Sequence, residues 1–142
     1  MASTADRAWI QRAVAVSGLP VALVDQAGVA LARSAVALAG AGTATLEAAL
    51  AGRPPVVLAR LHPASAAVAR RLVRVPAVGL PNLVLGERVF PERVQEACTA
   101  AAVAEAAARL LDAPPAGALA EVRRRCARPG LADRVMARLL AL

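Results

Sequence analysis

A chain of 142 residues with a net charge of +7 has room for one core, or for part of a larger fold, and not for two full nucleotide-binding halves. Its 58% hydrophobic content is inflated by alanine, and no uncharged apolar run approaches the roughly 18 residues of a membrane span. The opening MASTADRAW holds an acid and no continuous apolar stretch of the kind a secretory leader carries, so a soluble, cytoplasmic protein is expected.

In chain order, residues 5–17 place Trp9, Ile10, Ala13, Val14 and Val16 at helical spacing before Gly18, which predicts a first helix with a glycine terminator. LPVALVD, 19–25, reads as a strand buried on both faces, QAGVALARS, 26–34, as a brief helix, and AVALAG, 35–40, as a second buried strand. TATLEAALAG then predicts a helix closed by Gly52, and Pro54 and Pro55 introduce PVVLAR as a third strand. PASAAVARRLVR, 63–74, is amphipathic, with a proline near its start and arginines in its last turns, which suits a helix.

Residues 76–95 are too rich in proline and glycine for a long element and too apolar for a disordered linker; a short strand with an ordered loop is expected. A clear helix follows over 99–112 with Thr99 as its cap, broken by Pro114 and Pro115, and two more helices are predicted near 116–127 and 130–141. The alternation of strand and helix from Leu19 to about Leu80 predicts right-handed βαβ units in a parallel sheet. Its fold class is therefore α/β, a parallel sheet flanked by helices. The chain is expected to form one domain over 1–142, with 99–142 as its C-terminal helical segment.

All 17 basic residues are arginine, gathered at Arg70, Arg71 and Arg74 and again at Arg123, Arg124, Arg125 and Arg128. Such clusters meet phosphates or simply form solvated helix faces. Trp9 and Phe90 are the only aromatic residues, so there is no platform for stacking exposed bases, and nucleic acid is not an expected partner. Cys98 and Cys126 form no CxxC pair and the lone His62 precedes a proline. No metal site, thiol–histidine dyad or cofactor is expected.

The stretch AVALAGAGTATLEAAL, 35–50, concentrates the chemistry. A glycine turn between a buried strand and a helix puts backbone N–H groups and the positive end of the helix dipole at the carboxyl edge of a sheet, a ready place for a phosphate. Gly40 and Gly42 allow close approach of the backbone, and Thr43 either caps the helix or donates its hydroxyl. With Thr43 as cap, a capping-box acid belongs at Leu46, so Glu47 falls one residue late for that local task. It stands either in solvent at an ordinary strand–turn–helix corner or where a carboxylate accepts both hydroxyls of a ribose.

GTATLEAALAGRPPVV, followed downstream by VPAVGLPNLVLGERVFPERVQ, resembles the C-terminal, nucleotide-binding part of lipid-A-disaccharide synthase, a glycosyltransferase of two Rossmann-like halves in the GT-B arrangement. The matching residues are Gly42, Thr43, Thr45, Leu46, Glu47, Ala48, Pro54, Val56, Val57 and Arg60, then Leu80, Pro81, Asn82, Pro91, Glu92 and Gln95. The second block separates this family from the peptidoglycan lipid II-forming transferases, which share the glycine turn and helix glutamate.

The resemblance implies a UDP-2,3-diacylglucosamine donor and lipid X as acceptor, with UDP released and a β-1,6-linked disaccharide formed. It also implies contact with the cytoplasmic face of the inner membrane. By the same resemblance Gly42 and Thr43 face the diphosphate and Glu47 the ribose, Arg60 adds positive charge, and Asn82, Glu92 and Gln95 line the donor side. Three positions depart from the family pattern: Ala41 replaces a serine, Ala59 a tyrosine and Pro55 a methionine. The acceptor-binding surface and general base belong to the N-terminal half, which the resemblance leaves outside this chain, so no catalytic base is assigned. The expectation is a truncated transferase, the alternative a stand-alone UDP-sugar-binding or assembly module, or an inactive remnant, that needs a partner. An exposed sheet edge left by absent strands is an expected site of self-association.

Overall fold

The structure is a computed structural model that describes residues 7–60 and 76–126, together with Gly130 and Met136. Two compact units divide the chain, Met1–Ser34 and Ala35–Leu142.

The first unit holds helices α1, Arg7–Ser17, and α2, Ala27–Ala32. The run 19–25, expected as a buried strand, is instead exposed and unpaired in any sheet. A strand needs a neighbour to take its backbone groups. Here Pro20 has no N–H to offer, and Val21 N donates locally to the Leu19 carbonyl at 2.8 Å, a tight three-residue turn. Arg7 and Asp25 form an exposed ion pair.

The second unit contains the parallel sheet that the strand–helix alternation predicts. Its strands are β1, Ala37–Gly40, β2, Pro55–Ala59, and β3, Glu92–Val94, in the order β1-β2-β3. Ala37 pairs with Pro55 and Gly40 with Leu58, while Val57 pairs with Glu92 and Ala59 with Val94. Pro55 is tolerated in this central strand because it is the first residue, where a missing N–H costs least. The hydrogen bond there runs the other way, from Ala37 N to the Pro54 carbonyl at 3.1 Å.

β2 is buried over Pro55, Val56 and Val57, as expected of a central strand. β1, expected to be buried on both faces, instead alternates and leaves Leu38 55% exposed. Its position is the reason: among the described residues it stands at the end of the sheet, where only β2 flanks it.

Helix α3, Thr43–Leu50, follows β1, and α4, Leu80–Leu85, lies in the segment expected to hold only a strand and loop. Six residues are too few for a periodic signal, and the marks that survive are Pro81 in its first turn and Gly86 at its end. The short strand expected there is β3, which a 3-10 turn, Gln95–Ala97, follows. Helix α5, Ala100–Asp112, starts as predicted, with the Thr99 hydroxyl accepting from Ala102 N at 3.2 Å. Helix α6, Ala116–Cys126, completes the described elements. The helix expected over 63–74 and the first arginine cluster lie outside the described residues, as does most of that expected over 130–141.

Among the described residues the core has two clusters. Val56 of β2 packs with Ala106 and Leu110 of α5. Ala49 of α3, Phe90, and Leu119 and Val122 of α6 form the other, with Leu85 of α4 against them.

Candidate functional site

The chain leaves β1 by a turn whose conformation only glycine adopts readily. Ala41 N still donates to the Leu58 carbonyl at 2.8 Å, and Gly42 then takes φ +146° and ψ −162° to start α3. A Cβ on Gly42 would meet nothing within 4 Å, so backbone freedom and not space dictates the residue. Gly42, not Thr43, is the cap residue, and Thr43 is the first residue of the helix. Glu47 is thereby still further from a capping role.

Thr45 is a residue the sequence reading matched but gave no task. It is fully buried and closes the turn by donating its hydroxyl to the Gly42 carbonyl at 2.7 Å. The buried face of α3 is Thr45, Ala48 and Ala49; Thr43 and Glu47, four residues apart, share the exposed face. The only cue for Thr45 in the sequence is its offset of three from Gly42, the spacing of a side chain that bonds back to a cap residue.

Because the strands are parallel, their carboxyl ends share one edge of the sheet. The Gly40–Thr43 turn stands there after β1, Arg60 after β2 and Gln95 after β3. Arg60 is exposed. Gln95 has φ +54°, the sole positive value at a non-glycine position among the described residues, and its carbonyl accepts from Cys98 N at 3.0 Å. A left-handed non-glycine residue costs about 1–3 kcal/mol and needs support from its surroundings. The edge thus carries the first amides of α3, of which Thr45 N already donates to the Gly42 carbonyl at 3.2 Å, with Arg60 and Gln95 following the other two strands.

Asn82 and Glu92 are also brought together, in a different way. Asn82 is 1% exposed and all four of its hydrogen-bonding positions are used. Its Nδ2 donates to the Phe90 carbonyl at 2.8 Å and to Glu92 Oε1 at 2.9 Å, while its Oδ1 accepts from Val89 N at 3.1 Å and Phe90 N at 2.9 Å. Glu92 Oε1 also accepts from Gly79 N at 2.8 Å and Val78 N at 3.0 Å, and Oε2 from Val78 N at 3.1 Å. Both polar heads are spent on the protein's own backbone and tie the entry of α4 to the strand beside β2.

Of the second arginine cluster, Arg123 and Arg125 turn to backbone, and Arg128 lies outside the described residues. Arg123 donates to the Leu50 carbonyl at the end of α3 through Nε at 3.1 Å and Nη2 at 2.8 Å. Arg125 reaches the Val84 and Leu85 carbonyls at the end of α4, at 2.6 and 3.1 Å. Glu121 pairs with Arg124 and Arg125. The hydrogen bond from Arg124, then that from Arg125, hold its carboxyl below the ordinary value of 4.5.

Among the described residues no group of three or more His, Cys, Asp or Glu could hold a metal ion, and no helix is long and apolar enough to cross a membrane.

The profile of the lipid-A-disaccharide synthetase family matches residues 12–124. A lipid-A-disaccharide synthase of Sodalis glossinidius is 48% identical over 95 residues, covering 66% of this chain and 25% of that protein. Those of Syntrophotalea carbinolica and Pseudomonas savastanoi pv. phaseolicola are each 40% identical, covering 95% and 97% of this chain and 36% and 38% of their own. The chain therefore spans between 25% and 38% of the length of these three relatives.

Proposed function

The chain belongs to the lipid-A-disaccharide synthetase family, and on that premise we propose that the carboxyl edge of its sheet is the nucleotide side of a UDP-sugar donor site in a lipid A glycosyltransferase. In this reading the donor is UDP-2,3-diacylglucosamine and the acceptor lipid X, and transfer at the cytoplasmic face of the membrane leaves UDP and a β-1,6-linked disaccharide.

The observation that carries the reading is the turn at Gly42, which starts α3 at the carboxyl edge with its cap residue in a conformation reserved for glycine. Glycosyl transfer builds negative charge on the departing diphosphate, and the first amides of a helix stabilise it without a metal. The Thr43 hydroxyl and the Arg60 guanidinium add donors to the same edge. Glu47, exposed one turn along α3, accepts from the ribose hydroxyls, and Gln95 lies at the far end of the edge. Asn82 and Glu92 act as positioning residues, since their heads are committed to the backbone that shapes the donor side. No residue of this edge is assigned as the general base; that group and the acceptor surface belong to the rest of such enzymes.

Calorimetric titration with UDP tests the proposal. Saturable binding is expected, weakened by Glu47→Ala about ten- to a hundredfold, the loss of a charge-assisted hydrogen bond worth about 1.5–3 kcal/mol. With 2′-deoxy-UDP the penalty for Glu47→Ala should shrink. No saturation at millimolar UDP would remove the donor-site reading, and equal binding by Glu47→Ala would remove the ribose assignment.

A further inference from the structure

Away from the glycine turn, at the amino end of β3, a cavity of about 720 Å³ opens between the segment entering that strand and the last turns of α5. That volume falls in the range of small-molecule pockets, roughly 300–1,000 Å³. Its floor is apolar, with Phe90 1% and Leu110 6% exposed, and its walls carry Arg88, Arg93 and Arg109.

The charges of these arginines are met differently. Arg109 forms an ion pair with Glu105, one turn back on α5. Arg93 is half-buried and donates to two neutral carbonyls, from Nε to Ala102 at 3.1 Å and from Nη1 to Glu92 at 3.4 Å. Arg88 donates from Nε to the Pro76 carbonyl at 2.5 Å. Among the described residues neither Arg88 nor Arg93 has a carboxylate in ion-pair reach. The carbonyls hold each guanidinium through its Nε, Arg93 uses Nη1 as well, and both side chains line the cavity. Arg93 is the one partly removed from water without a counter-charge, which is costly, and an oxyanion beside it relieves that cost while the exposed Arg88 adds positive charge. Asp112 and the negative end of the α5 dipole disfavour an anion at the helix end of the cavity; on the β3 side Glu92 also lines it, but its carboxylate accepts from the Val78 and Gly79 N–H groups and the Asn82 amide, which leaves Arg93 to meet an anion there.

We propose that this cavity binds an organic phosphate with an apolar body, its anionic head on Arg88 and Arg93 and its apolar part over Phe90 and Leu110. The chemistry is shared by a soluble phosphate monoester and a lipid phosphate headgroup. The site is separate from the carboxyl edge and does not depend on the UDP reading.

The test uses the full chain and n-octyl phosphate below its micelle-forming concentration, followed by calorimetry. Saturable binding is expected, tighter than that of inorganic phosphate and absent for n-octanol. Arg93→Gln and Arg88→Gln should each weaken it roughly tenfold, the loss of one charge-assisted hydrogen bond, while Arg33→Gln and saturating UDP leave it unchanged. Circular dichroism checks each variant, and if Arg93→Gln does not fold, the exposed Arg88 decides. Co-sedimentation with phosphatidic acid vesicles that Arg88→Gln abolishes identifies a lipid headgroup as the source, whereas binding of octyl phosphate alone identifies a soluble ester. No saturable binding, or binding that neither substitution weakens, overturns the site.

Discussion

Asn82 and Glu47 are both polar residues of the family motif, yet the structure gives them opposite physical situations. Asn82 has four internal partners and no exposure to speak of, whereas the Glu47 carboxylate stands on the open face of α3. Removing the Asn82 head strands the Phe90 N–H and C=O in the interior, and each unmet buried group costs about 1–3 kcal/mol. Asn82→Ala is therefore expected to lower the urea-unfolding free energy by about 3 kcal/mol or more, and Glu47→Ala to change it by less than about 0.5 kcal/mol. Unequal losses of this kind would set the buried, internally bonded Asn82 apart from the exposed Glu47; equal losses would contradict their different burial. The sequence identifies both as candidates but holds no sign of this difference. Asn82 finds its partners at Phe90 and Glu92 only because the chain between them folds back.

At the scale of single elements, α3 is secured at both ends. Thr45 closes its start on the Gly42 carbonyl, and Arg123 of α6 closes its end on the Leu50 carbonyl. Gly52, just beyond, has φ +77°, and a Cβ there would lie 3.3 Å from Arg123 Nη2. Gly52→Ala is accordingly expected to cost about 1–2 kcal/mol from the left-handed backbone alone, read as a lower thermal midpoint. The arginine cluster of α6 was open to two readings in the sequence, phosphate contact or solvated face. Arg123 and Arg125 do neither, because the free carbonyls ending α3 and α4 lie within their reach.

Glu121 supports the same helix and makes its contribution pH-dependent. Its carboxyl is held below 4.5 by Arg124 and Arg125, so the folded state binds the proton less readily than the unfolded one. The stabilisation is complete above about that value and is lost as pH falls through the lowered folded value. Urea midpoints of wild type and Glu121→Gln should differ near neutrality and converge in acid; a gap that widened in acid would reverse the sign.

Across the whole molecule, both buried clusters lie between Val36 and Cys126, within the unit that begins at Ala35. A chain starting at Ala35 therefore holds every residue of that core and is expected to unfold in a single cooperative transition in urea. A broad, probe-dependent transition would show that the core is insufficient. The parallel sheet was legible because strand and helix signals alternate, and β2 because two prolines announce a continuous apolar run. The strand reading of 19–25 failed although its apolar run is as long, because a strand is completed by a neighbour and not by its own composition.

The class of fold, the family, the glycine turn with its carboxylate and the Thr99 cap were legible along the chain, because each rests on residues close together in it or on motifs in a recognisable order. That β1 stands at the end of the described sheet, that Asn82 and Glu92 spend their polar heads on backbone, that Arg123 and Arg125 cap other helices, and that Arg88 and Arg93 border one cavity became visible only in the folded molecule. These follow from which distant groups meet. A burial or a hydrogen bond across the fold is a property of two segments at once, and neither segment carries it alone.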